Sequence, residues 1–543
     1  MFATADGCAR CHSASPQSHA MRSAVGDDVS PHGLWQATVM ANSFRDPYWQ
    51  AQVARECEQA ASDPDGRDPE DVAALCLRCH APMRHHTLKN QAATAQPAAA
   101  AAAAAIAPSA RAGTIPKADA APALTQAEQD PLARDGVSCT VCHQIRARGL
   151  GEPTTWSGKG RIGRERVIYG PYPEPQAAPM RGMSGYAAVH GAHVQSSALC
   201  ATCHTLVQTH SGQRFPEQTP YLEWRNSVYS DEKIDGRDAD PENTRTCQQC
   251  HMVDVGAARI ARSPDGLDFQ LPLREPYRAH AFVGGNTFLL EMLRTHRDEL
   301  GVAATDEALQ RMVRATRHQL TTATAELAIS EVRHVDDELR FQVEVRNLTG
   351  HKFPTGYPAR RAWLQVRVAN ERGVVFEVGA CDEDGEIQGV IDPFDQEHVQ
   401  LIESRLDVPI WEMVAADADD EPTTSLSRMA KRKKDTRILP AGWRADGPHN
   451  AETRPVAATI DGKPDPDYYD GRGADRVDVV VPYDAGSPRA TVSVWLHYQS
   501  IPPHWVEPLR WVEDARCERF VGFYDAADKT PETIASAQRA ERL

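Results

Sequence analysis

Five times within its first 251 residues the chain repeats Cys-x-x-Cys-His, and nothing else in the sequence restricts the fold as strongly. The copies are Cys8-Ala-Arg-Cys11-His12, Cys76-Leu-Arg-Cys79-His80, Cys139-Thr-Val-Cys142-His143, Cys200-Ala-Thr-Cys203-His204 and Cys247-Gln-Gln-Cys250-His251. The spacing has a mechanism: two thiols form thioethers to the vinyl groups of one porphyrin, and the adjoining imidazole reaches the iron as proximal ligand. Zinc ribbons also use paired C-x-x-C knuckles, but zinc does not require the trailing histidine. Histidine is 21 of 543 residues, about 4%, so five trailing histidines in five arise by chance roughly once in ten million. A thioredoxin-like pair or a set of disulfides would not repeat five times with this suffix. The expectation is five covalently attached c-type haems, their irons held on one side by His12, His80, His143, His204 and His251. Of the thirteen cysteines, Cys57, Cys381 and Cys517 fall outside the motifs. They read as ordinary buried thiols, with a disulfide between two of them left open.

A chain of 543 residues exceeds what one hydrophobic core organises, so two or three domains are expected. Apolar residues make up 41% and mean hydropathy is -0.50, which leaves a conventional interior slightly under-supplied. Covalently held porphyrins would fill that gap. The 75 acidic residues outnumber the 59 basic ones for a net charge of -16, which argues against nucleic acid and would steer a basic redox partner toward the surface. No run of eighteen apolar residues occurs, so no membrane span is expected. Haem attachment to this motif takes place outside the cytoplasm in bacteria, so a periplasmic or extracellular location is expected. The chain opens Met1-Phe2-Ala3-Thr4 and reaches Cys8 without a basic or apolar leader, the pattern of a trimmed or mis-assigned start.

The two halves differ in kind. All five motifs lie between residues 8 and 251, among short segments rich in Gly, Pro and His, with helical pieces expected near Trp49 to Ala61, Pro69 to Leu77, Thr219 to Tyr229 and Thr287 to Leu300. An Ala/Pro-rich stretch over residues 90–130, including the run Ala98 to Ala105, reads as an insert or linker. From about Thr321 the period changes to two: Leu339, Phe341, Val343 and Val345 alternate with polar residues, as do Leu364, Val366 and Val368, and Ala490, Val492, Val494, Leu496 and Tyr498. Asp336-Asp337, Asn370 to Gly373 and Asp382 to Gly385 are the turn signals between them. Asp382 to Glu386 lacks the remaining ligand positions of a calcium loop. The fold class expected is α+β multidomain: a mostly helical and irregular haem domain over 1–320, an antiparallel β-sandwich over 325–525, and a tail over 526–543.

What occupies the face of each iron opposite its proximal histidine decides what the site does: a second histidine closes it for electron transfer, methionine raises its potential, and an empty face admits substrate. Eleven methionines and sixteen further histidines are available. Several stretches narrow the choice. Gln218-Thr219-Pro220-Tyr221-Leu222-Glu223-Trp224-Arg225-Asn226-Ser227 ahead of Cys247 is similar to the Q-T-x-Y-x-E-W-x-x-S run of cytochrome c554-type multihaem cytochromes. Asn347 to Gly356 and Tyr498-Gln499-Ser500-Ile501 resemble the β-domain signatures of family members that carry a C-terminal β-domain. The likeness covers most of the chain outside the alanine-rich insert. It implies His280, in Arg278-Ala279-His280, His193, in His190-Gly191-Ala192-His193, and His351 as distal ligands, the last supplied by the β-domain. Trp35-Gln36-Ala37-Thr38-Val39-Met40-Ala41 departs from the family's W-x-x-S-x-H-A by placing Met40 where histidine stands. That position implies His/Met coordination, an open face, or an apolar contact for Met40, with His32, His85 and His86 near enough in sequence to substitute.

Electron transfer with unidentified redox partner proteins is the leading functional expectation. The alternatives are a multihaem oxidoreductase acting on a small nitrogen or sulfur compound at one open-face haem, and a subunit of an extracellular cytochrome filament or membrane redox complex. No motif ends in lysine, as the active haem of the pentahaem nitrite reductases does, which lowers the reductase reading. The basic run Lys431-Arg432-Lys433-Lys434 reads as a solvated loop or part of a docking face.

Overall fold

The computed structural model describes residues 1–62, 68–91, 122–210, 213–232, 239–484 and 486–542. Most of the alanine-rich insert, including Ala98 to Ala105, lies outside them. The fold is α+β and multidomain, helical and irregular in its first part and built of sheets in its second.

The helices that carry the motifs are short and begin where capping chemistry starts them. Pro69–His80 opens on Asp68, whose carboxylate accepts the Glu70 N–H, has proline in its first turn, and places Glu70 and Asp71 against the helix dipole. Its last residue is the histidine of the second motif. Cys247–His251 is closed by a capping box in which Thr246 and Gln249 satisfy each other's backbone N–H. Ala5–His12 likewise ends on its motif histidine, and Cys139–Cys142 presents His143 at its C-cap. The motifs therefore sit at helix ends, where chain direction changes and a side chain can point into a cavity.

The second part contains two sheets packed face to face. One runs Leu401–Ile402, Ala474–Pro482, Glu338–Asn347, Ala325–Ile329, with Arg333–Val335 also on Glu338–Asn347. The other runs Ile410–Trp411, Arg361–Asn370, Arg489–Gln499, Glu532–Arg542, with Gly373–Val378 on Arg361–Asn370. Pairing is antiparallel except at the edge Leu401–Ile402. The alternation read from the sequence sets the register: Val343 lies opposite Val477 and Val494 opposite Val366, and these side chains meet between the sheets with Trp363 and Trp411. Each such buried aliphatic side chain contributes about 1.5–3 kcal/mol of burial free energy.

Three features differ from the sequence expectation. Glu532–Arg542, expected as a tail, pairs with Arg489–Gln499 along its whole length, because its backbone satisfies an otherwise bare sheet edge. The helix Ala515–Ala526 leaves the sandwich and buries Phe520 and Tyr524 among Tyr48, Ala51, Leu289 and Met312 of the helical part. Lys431–Asp435 is a strand paired with Met413–Ala416. Its lysines and arginine are ion-paired, Lys431 to Asp420, Arg432 to Asp435 and Lys434 to Glu412, so the run is neither a solvated loop nor a free cationic face. Asp382 to Gly385 is a turn in which the Asp382 carboxylate accepts the N–H groups of Asp384 and Glu386.

Candidate haem centre

All five motifs open onto one continuous cavity of about 1960 Å³, larger than the roughly 300–1000 Å³ of an ordinary ligand pocket. Its walls are shared between motifs. The thiols of Cys8 and Cys139 lie close enough to interact electrostatically, as do those of Cys200 and Cys247 and those of Cys79 and Cys203. The first site thus adjoins the third, and the fourth adjoins both the second and the fifth. Backbone contacts carry the same adjacency: Thr140 Oγ1 donates to the Ala3 carbonyl at 2.9 Å, and the Cys247 N–H donates to Ser197 Oγ at 3.0 Å.

Four of the five motif histidines are oriented by a backbone carbonyl at Nδ1: Ile260 for His12 (2.9 Å), Ser43 for His80 (3.0 Å), Tyr169 for His143 (2.7 Å) and Val283 for His251 (2.6 Å). An imidazole that donates from Nδ1 keeps its proton there and leaves the Nε2 lone pair for a metal. Burial pushes His12 and His143 below the usual imidazole range and takes His80 and His204 down to about 4. These rings are therefore neutral at physiological pH, the form in which imidazole ligates. The Trp49 indole stacks on His80 at 4.5 Å with planes 8° apart, fixing that ring's rotation. Among the described residues no three motif cysteines and histidines bring ligand atoms together as a zinc site requires. Cysteine pairs spread along a cavity wall, with Nε2 turned inward, suit a planar macrocycle.

Two of the expected distal histidines face motif histidines. His280 lies opposite His143 with ring centres 6.2 Å apart and planes 20° apart; His351 lies opposite His251 at 6.3 Å and 14°. A metal–imidazole bond of about 2 Å on each side, plus about 1.1 Å from nitrogen to ring centre, places two axial rings about 6.2 Å apart. His280 Nδ1 meets the Arg278 carbonyl at 3.2 Å and His351 Nδ1 the Lys352 carbonyl at 3.0 Å, leaving both Nε2 atoms for the gap. Burial lowers His280 to about 3 and His351 to about 4.

The remaining candidates are placed differently. His193 turns Nε2 to the Ile145 carbonyl at 2.8 Å and is not among the residues lining the cavity. Met40 and His32 both line it, the latter with Nδ1 3.2 Å from Ser13 Oγ. His85 and His86 lie on the helix over 82–91, outside the lining. Cys57 and Cys517 are buried thiols bonded to the carbonyls of Pro69 and Ala51, and all three non-motif cysteines are free.

Sequence reasoning passed over the cavity's carboxyls. Burial pushes Asp46 and Glu217 up to about 7. Glu217 meets the Gln208 amide, and both acids line the cavity near the second motif. No sequence pattern marked them: Glu217 lies among polar neighbours, in Gln213-Arg214-Phe215-Pro216-Glu217-Gln218.

No family model and no curated protein matches the sequence. Among solved structures, the chain is similar to the penta-haem cytochrome c552 of Thermochromatium tepidum, with a TM-score of 0.52 and 15% identity over 99% of each chain. The fold is therefore that of a multihaem cytochrome c, from end to end.

Proposed function

We propose that the chain is a multihaem c-type cytochrome that carries electrons through five covalently attached haems outside the cytoplasm, a member of the c554-type group with a C-terminal β-domain. The observation that carries this reading is the shared cavity: five Cys-x-x-Cys-His helix ends line it, and four of their imidazoles are locked by backbone carbonyls with Nε2 free. The penta-haem neighbour of equal length supports the number of haems. Bound haem iron supplies reversible one-electron chemistry. The chain's own contribution is threefold. The cysteines would fix each macrocycle to a helix end, the adjacency of motifs would bring neighbouring groups within hopping distance, and burial keeps the His12, His80, His143 and His204 imidazoles unprotonated.

His143 with His280 and His251 with His351 would each hold an iron between them. Near-parallel rings fixed at this separation would need little reorganisation when the charge of a bound iron changes, the property wanted of a carrier. His351 comes from the β-domain, which thereby closes the fifth site. Met40 and His32 are a sulfur and a nitrogen donor that line the cavity, His32 against Ser13 just after the first motif, and His193, engaged at Nε2, is left out. Thioether attachment places the working compartment in the periplasm or beyond. No helix among the described residues is long and apolar enough to cross a membrane.

A second reading, oxidoreduction of a small nitrogen or sulfur compound, is favoured by one observation. Asp46 and Glu217 are buried acids able to exchange protons near neutral pH, and they line the cavity around the second motif. Mass spectrometry and EPR of the oxidised, haem-loaded protein test both. Five haem masses with five low-spin irons establish a carrier; a high-spin iron beside the second motif establishes the oxidoreductase; fewer than five haems refutes both.

A further inference from the structure

One short helix touches both sides of the fifth site. On Pro220–Arg225, which belongs to the haem-bearing half, Glu223 is fully buried and reaches the loop that carries His351. Its Oε2 accepts the Lys352 N–H at 3.0 Å and the Thr355 hydroxyl at 2.6 Å. Its Oε1 accepts the Thr219 hydroxyl at 3.0 Å and lies 3.6 Å from the Arg437 guanidinium. The next residue, Trp224, donates from Nε1 to the Arg245 carbonyl at 2.8 Å. Arg245 directly precedes Thr246, the cap of the helix holding Cys247, Cys250 and His251. Trp224 also packs on the distal loop: a Cβ at Gly350 would stand 3.0 Å from its ring and 3.3 Å from Tyr229. Tyr229 in turn donates to the Leu348 carbonyl at 3.0 Å.

We infer that Glu223 and Trp224 are positioning residues that clamp the proximal motif and the distal loop of the fifth site, setting the separation and tilt of His251 and His351. The inference rests on the axial pairing proposed above. Its chemistry is specific. The Lys352 N–H at one oxygen and the Arg437 guanidinium at the other can only donate, so an amide of the same shape turns its NH₂ toward one of them whichever way it is flipped. The His351 ring is held within its own loop by the Lys352 carbonyl, and Thr349 with Asn347 holds the His351 carbonyl. Moving Lys352 therefore moves the ring as a unit. The β-domain is thus joined to the haem half at the bond that decides whether the fifth iron is closed.

The test uses the full-length, haem-loaded protein in three variants, Glu223→Gln, Trp224→Phe and His351→Ala, read by EPR and resonance Raman of the oxidised state and by redox titration. Glu223→Gln is expected to turn part of one iron in five high-spin and to shift one midpoint potential, leaving the other four. Trp224→Phe, which keeps an aromatic ring but loses the N–H and part of the indole, should perturb the same iron less. If His351→Ala creates a high-spin iron while the two clamp variants leave spectra and potentials unchanged, the clamp is refuted and the pairing stands. If His351→Ala leaves five low-spin irons, the pairing falls and the clamp with it. Equal disturbance of all five haems also refutes the clamp. Should Glu223→Gln yield no five-haem protein, Trp224→Phe decides alone, since it removes the Nε1 hydrogen bond and part of the ring that packs on the distal loop while keeping an aromatic side chain.

Discussion

Asp435 holds three cations on one carboxylate, and none of the four groups reaches water to any useful extent. Lys352 Nζ lies 2.7 Å from it, Arg432 3.0 Å and Arg437 2.8 Å; the side chains of Lys352 and Asp435 are both 0% exposed. Asp435→Asn keeps the shape and removes the one charge all three share, leaving Arg437 with Glu223 at 3.6 Å and Lys352 and Arg432 without this partner. Removing one partner of a buried ion pair costs about 3–5 kcal/mol, because the other charge is left uncompensated. In a cooperative unit of about 200 residues each kcal/mol moves Tm by about 2–4 °C, so the β-domain transition should fall by about 10 °C. Burial already pushes Lys352 down to about 8, and without Asp435 it releases its proton more readily, so the deficit should be smaller at pH 9 than at pH 7. The acid side has the opposite sign. The three cations hold the Asp435 carboxyl well below its ordinary value of 3.8. Its stabilisation is therefore fully present above that value and is lost as pH falls below it. Calorimetry, with far-UV circular dichroism as a second probe, follows the transition from pH 3 to pH 9. A Tm within 2 °C of the parent at pH 7, or a deficit that grows from pH 7 to pH 9, would refute this account of the cluster.

Other outcomes follow from the same geometry. His280→Gly should convert one low-spin iron to high-spin, and added imidazole should restore it, as read by resonance Raman. Glu217 is raised to about 7 from 4.5 by burial, so its neutral form favours folding at low pH and that contribution is lost as pH rises through 7; Glu217→Gln should leave Tm unchanged near pH 5 and raise it at pH 8. Gly350→Ala places a methyl against Trp224 and Tyr229 and should raise the high-spin fraction of one iron without lowering the haem count. Cys79→Ala should reduce the covalently attached mass at the second motif alone, as measured on tryptic peptides.

The chemistry of the cavity was legible because thioether attachment is local in sequence: two cysteines and a histidine within five residues declare it wherever the fold places them. The sandwich strands were legible for a related reason, since Leu339 to Val345 and Ala490 to Tyr498 each bury one face and alternate with period two. The strand Glu532–Arg542 was not, because only Ile534 on it is fully buried and its half-buried face continues through Ala535, Ala537, Arg539 and Glu541, which show no apolar alternation. Nor was the fate of Lys431 to Lys434, whose charges are met by Glu412 and Asp420 from earlier in the chain and by Asp435 at the end of the same strand. The pairing of His280 with His143 and of His351 with His251 depends on loops more than ninety residues apart meeting across a gap, and no periodicity encodes that.

The helix Ala515–Ala526 ties the sheet-bearing half back to the helical half, burying Phe520 and Tyr524 in one core with Tyr48 and Met312. Residues more than four hundred positions apart in sequence thereby share a single apolar cluster. Loosening this one helix exposes apolar surface in both halves of the molecule at once.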